Sequence, residues 1–150
     1  NNELNENKVY LPNGDFCMEM DYNYLINDSY YSNVYERIFM DNAPVLDCTN
    51  YYNGIVGLLS VDEVIYAGAY NNNINTRYYL YNPEIEENYL TGSGYFWNNG
   101  LMMMNVNSNG SLGEGIKITE KAAVRPVINI NAAAKVKGNG TKDDPYVIVS

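Results

Sequence analysis

Acid–base chemistry in this chain would have to run on carboxylates. There is no histidine among its 150 residues, so a Ser-His or Cys-His nucleophile has no base to activate it. Two carboxylates at a suitable distance could still divide the acid and base roles. Glu84, Glu86 and Glu87 crowd one segment, and Asp143 with Asp144 another. Both segments read more simply as solvated loops. No G-x-G-x-x-G and no Walker-type glycine loop occurs. The residue types therefore argue against an enzyme, and they call for no cofactor.

A hard cation is the one ligand the acidic loops could hold. Calcium takes clustered carboxylate and amide oxygens on loops. Asn82, Glu84 and Glu87 form one candidate set, and Asp143 with Asp144 a second. Amphipathic rings with amide neighbours suit sugar stacking or protein contacts. Tyr78, Tyr81, Tyr95 and Trp97, with Asn98 and Asn99, are the candidates for that role, against the alternative that these rings pack the core. Arg125 is a charge inside an apolar run. Its expected role is structural, an ion pair with Asp62 or Glu63 that locks a helix to a sheet.

Cys17 and Cys48 are the two cysteines, and 30 residues lie between them. Without histidine or a C-x-x-C motif, a zinc site is disfavoured. A single disulfide is the preferred reading, contributing about 3 kcal/mol in chain-entropy terms; two separate thiols in a reducing compartment are the alternative.

These groups must be positioned by a chain of one domain's length. Its charge is -9 and its pI about 4.3. The nine Lys and Arg form no stripe, so nucleic acid and anionic membranes would be repelled. No apolar run reaches the length of a membrane span. Asn, at 25 residues, and Tyr, at 16, dominate the polar and aromatic content. Asn favours turns and Tyr half-buried sheet surfaces, which points to a strand-rich, loop-rich surface protein. The chain opens on Asn1 without an initiating Met, as expected of a processed or trimmed protein.

The firmest local signal is Ser60-Val61-Asp62-Glu63, a capping box. It predicts a helix over about residues 60–68, with Gly68 as its stop. Short strands are expected at Val9 to Leu11, Phe16 to Met20, Tyr78 to Tyr81, Tyr89 to Thr91, Tyr95 to Trp97 and Met102 to Val106. Val124 to Ile130 reads as the strongest strand. Val34, Ile38 and Phe39 hint at one helical turn. Asn107 to Gly110 is a hairpin turn, and Val136 with Tyr146 to Val149 forms a closing pair. Alternation places Met102 and Met104 on one face and Met103 on the other, in core or subunit contact. Ile55, Leu58, Val64, Trp97, Val106, Val127, Ile128, Ile130 and Val147 are the expected core.

Several of these pieces stand in a familiar order: Gly57-Leu58-Leu59-Ser60-Val61-Asp62-Glu63-Val64, Tyr78-Tyr79-Leu80-Tyr81, Tyr95-Phe96-Trp97, Val106-Asn107-Ser108-Asn109-Gly110, Val124-Arg125-Pro126-Val127-Ile128, and Gly138 to Ile148. Over about residues 54–150 the chain resembles the C-terminal head domain of type IV pilin-like and surface proteins of Gram-positive bacteria. It is similar, too, to the C-type-lectin-like superfamily. Asn82, Glu84, Glu87, Trp97, Asn98 and Asn99 resemble the calcium and sugar site of those lectins, with Asn99 in place of an acidic residue. The resemblance implies an extracellular, non-catalytic α+β domain: a twisted antiparallel sheet, one main helix at about 60–68, and long loops. It implies self-association in a filament or contact with other surface proteins. An adhesin that recognises glycan or protein, assisted by calcium, is the alternative.

Overall fold

The computed structural model describes residues 11–21, 24–26, 29–31, 33–48, 50–71, 73–97, 100–141 and 143–149. The expected strand at Val9 to Leu11 lies mostly outside them. Its centre is a meander of three antiparallel strands, β7 (Tyr89–Trp97), β8 (Gly100–Val106) and β9 (Leu112–Lys117). Two short strands, β2 (Met20–Asp21) and β10 (Ala123–Val124), both pair in parallel with the same edge of β7. Between them the edge is occupied by the approach to the helix. The Gly92 amide donates to the Leu59 carbonyl at 2.7 Å.

Around this sheet lie four two-stranded ribbons. β1 (Gly14–Cys17) pairs with β5 (Tyr51–Gly54), and β3 (Tyr24–Ile26) with β4 (Ser29–Tyr31). β6 (Val56–Gly57) pairs with β11 (Val127–Ile128), and β12 (Lys135–Lys137) with β13 (Val147–Val149). Helical structure is brief: α1 (Asn33–Tyr35) runs into a π-helical turn (Glu36–Met40), and α2 spans Val61–Tyr66.

The expected α+β fold with one main helix is overturned. Strands make up 38% of the described residues and helix 11%, and no helix among them is long. The capping box is present: the Glu63 amide donates to Ser60 Oγ and the Ser60 amide to Glu63 Oε2. Six residues are less than two turns, however, because Ala67 closes the helix and Gly68 turns away with φ +118°. The apolar residues before Ser60 are drawn into β6 and onto the edge of β7 instead. The turn at 107–110 closes β8 onto β9 as expected.

Strand boundaries differ for physical reasons. Gly92-Ser93-Gly94 does not split the chain; β7 runs through it with a register shift between Leu90 and Gly94. The run Val124 to Ile130 breaks at Arg125-Pro126. Proline has no amide to continue a ladder, so the chain leaves β10 and joins β6 as β11. Tyr78 to Leu80 is a turn rather than a strand.

The core lies between α2, the α1 segment and the meander, with Val34, Ile38, Val61, Val64, Met104, Val106 and Leu112 at its centre. Val64 and Val106 were expected there. Ile55, Trp97, Ile128, Ile130 and Val147 are exposed.

One charge network ties α2 to the rest. Arg37 binds both oxygens of Asp62, with the Asp62 Oδ2 contact at 3.0 Å, and reaches Glu19 Oε2 at 2.9 Å. The Val45 amide donates to Asp62 Oδ1 at 2.7 Å. Asp62 is only 2% exposed. Removing one member of a buried pair leaves the others uncompensated, at a cost of about 3–5 kcal/mol. Arg37→Ala should lower the denaturant-unfolding free energy by that amount, whereas Arg77→Ala on the exposed surface should change it little. Equal effects from the two would contradict the role given to Arg37.

Candidate functional site

Cys17 and Cys48 form a disulfide with their Cα atoms 5.8 Å apart. Together with Glu19 they make up the sole group of three or more potential metal-ligating side chains gathered within 4.8 Å among the described residues. The disulfide engages both sulfurs and Arg37 holds Glu19, so this is a structural junction.

Among the described residues the acidic loops bring no three carboxylates within 4.8 Å of one another. Asn82, Glu84 and Glu87 are exposed, and Asn82 Oδ1 accepts the Glu84 amide at 3.0 Å, closing an Asx turn. Asp143 and Asp144 are exposed in the β12–β13 loop. There the Asp144 carbonyl accepts the Asn139 and Gly140 amides, and its own amide donates to Thr141 Oγ1. That chemistry shapes a turn. Asn98 and Asn99 lie outside the described residues.

The expected pairing of Arg125 with Asp62 or Glu63 is corrected. Asp62 belongs to Arg37, and Glu63 to the helix cap. Arg125 instead donates to the Leu80 carbonyl and lies 5.6 Å from the Tyr89 ring centroid. It pins the 78–81 turn to β7.

The tyrosines divide into two groups. Tyr78 and Tyr89 are buried beside half-buried Tyr81, with the Tyr78 and Tyr81 centroids 6.3 Å apart. The Tyr78 and Tyr89 hydroxyls make no hydrogen bond to the other described residues. Tyr95 packs against Tyr35 at 5.3 Å and donates to the Glu114 carbonyl at 2.7 Å. Trp97, 43% exposed, closes a cleft of about 270 Å³ with Tyr35, Tyr95, Met102 and Glu114. Of the rings singled out in the sequence, Tyr95 and Trp97 therefore share a concave surface, while Tyr78 and Tyr81 are packing.

A groove of about 440 Å³ has an almost wholly apolar lining. Phe16 and Met18 form one wall at the end of β1, with Tyr52 of β5 beside them. Val56, Gly57 and Leu58 form a second wall, and Gly92 and Met103 the floor. Val124 and Pro126 close it where the chain passes from β10 to β11. Among the described residues no charged side chain lines it. The glycines set its depth. A Cβ on Gly92 would lie 2.7 Å from the Cys17 carbonyl oxygen, and one on Gly57 would strike the Phe16 ring.

Of this groove, sequence reasoning singled out only Leu58, as core, and Met103, as pointing away from Met102 and Met104. The Met103 alternation was the usable signal. The opposite wall comes from ribbons whose pairing is not local. Comparison with protein-family models, with curated proteins and with solved structures returns no match.

Three phenols among the described residues are perturbed. Burial pushes Tyr95 up to about 12, and the nearby Tyr35 and Glu114 add to it. Burial, then Tyr89, raises Tyr78 against the opposing pull of Arg125. Burial and Glu114 raise Tyr35. A raised phenol favours the folded state while it stays neutral, so its contribution is complete below the ordinary phenol value of 10.0 and is lost as pH climbs toward 12. The unfolding free energy should hold level up to pH 10 and fall above it, and Tyr95→Phe should make the decline shallower. An unchanged slope in that variant would remove Tyr95 from the account.

Proposed function

We propose that this chain is a non-enzymatic module of the bacterial cell exterior: a structural subunit or head domain of a surface filament or pilus. The observation that carries the reading is the uncharged groove and its apolar rim. Met18, Tyr52, Val56 and Val124 line the groove and are themselves exposed. Contiguous exposed apolar surface of this kind marks contact sites on proteins that are otherwise soluble. The disulfide accords with an oxidising compartment. No helix among the described residues is long and apolar enough to cross a membrane. Sedimentation velocity over a rising concentration series tests the reading. Growth of larger species is expected, and a single monomer peak throughout would count against a filament subunit.

The Trp97 cleft favours a second reading, an adhesin-type glycan contact. An exposed indole beside Tyr35, Tyr95 and Glu114 offers a stacking face and a carboxylate within one concavity. Trp97 is the only tryptophan, so its fluorescence reports on the cleft alone. Titration with neutral oligosaccharides should shift that emission, with or without added calcium, and Trp97→Ala should abolish binding seen on a glycan array. Emission that no sugar shifts would leave the cleft without this role.

A further inference from the structure

Among the described residues the β12–β13 ribbon pairs with no other strand. β12 and β13 pair in register, with Val136 opposite Ile148. Cross-strand partners share a face and residues two apart repeat it, so Val136, Ile148 and Tyr146 form one apolar face. They are 49%, 37% and 66% exposed. Lys135 and Lys137 stand on the opposite face. An isolated two-stranded hairpin is marginal in water unless its apolar face is covered. None of these residues lines the groove of its own chain.

The same molecule therefore carries an uncovered apolar ribbon at one place and an unfilled apolar groove at another. Charge favours their meeting between copies. Residues 135–150 hold three lysines against two aspartates, a net charge of +1, and residues 1–134 carry the other -10. Two whole molecules repel each other, but the ribbon of one is attracted to the body of another.

Resting on the filament-subunit reading, we infer that the β12–β13 ribbon of one copy seats its Val136–Tyr146–Ile148 face in the groove of the next copy. The two surfaces are different, so the contact is heterologous. Each added subunit presents a fresh groove or a fresh ribbon, and the assembly extends head to tail. The lysines on the far face of the ribbon then stay outside the apolar groove, in solvent.

Complementation of the whole chain separates this from other modes of assembly. The ribbon is blocked by Val136→Asp with Ile148→Asp, or by Ile148→Asp alone should the double variant fail to fold. The groove is blocked by Val124→Asp, a position already 64% exposed. Circular dichroism and thermal melting establish that each variant is folded. In sedimentation velocity the unmodified chain should form an open series of species. Each variant alone should weaken association at least about ten-fold, as loss of a central apolar anchor does. An equimolar mixture of ribbon-blocked and groove-blocked chains should form a one-to-one dimer and stop there, because one intact ribbon and one intact groove remain. If the unmodified chain assembles and the variants assemble equally well, the docking inference is overturned while the filament reading stands. If both variants are monomeric and their mixture stays monomeric, the contact is not ribbon-in-groove and the inference is likewise overturned. If the unmodified chain is monomeric at every concentration, the filament reading itself falls, and the inference with it.

Discussion

Arg37 is the residue on which the arrangement of the other parts depends. Its guanidinium gathers Glu19 from the segment after β1 and Asp62 from the first turn of α2, and it also donates to the Ala43 carbonyl. These groups come from three separate stretches of chain. A planar fork of donors can serve two carboxylates at once, which a lysine cannot do with the same geometry. Burial makes the network demanding, because each carboxylate is tolerable in the interior only while the arginine is present. The network thus acts as a constraint on register as much as a source of stability. β1, the π-helical turn and α2 must arrive together or not at all.

Strand β7 receives the consequences of that constraint. Its edge is shared by β2, the Leu59 carbonyl and β10 in succession, so three chain segments abut along nine residues. Ser93 Oγ accepts the Val61 amide at 3.0 Å, which orients α2 directly from the strand. The Gly94 amide donates to the Glu19 carbonyl at 2.7 Å, linking the strand to the charge network. Such an edge needs small residues, and Gly92-Ser93-Gly94 supplies them. The groove is what remains beside this crowded edge, where Gly57 and Gly92 keep the backbone close and no side chain fills the space.

Local chemistry was legible in the sequence wherever one segment decides its own structure. The Ser60–Glu63 capping box, the turn at 107–110 and the β12–β13 pair all belong to that class. The partners of the charges were not legible. Arg125 and Arg37 both lie far from Asp62 in sequence, and nothing in residue type distinguishes them. The division of the chain into a meander with attached ribbons was equally hidden. Val127, Ile128 and Val147 read as core strand residues, yet they lie in ribbons that leave much of them exposed. The tertiary pairing of short strands overrides their apolar character. The groove escaped notice for the same reason: its walls come from β1, β5, β6 and β10.

On the proposed filament reading, the disulfide would carry load along the chain. Tension entering before Cys17 can pass through the sulfur bridge to Cys48 and bypass everything between. The bridge spans a sequence separation of 31 residues, and a fully extended chain covers about 3.3–3.6 Å per residue. About 100 Å of potential slack is thereby locked. Glu19 and Arg37 lie inside that protected loop, so their ion pair is sheltered from a pull on the ends, whereas Asp62 lies outside the loop.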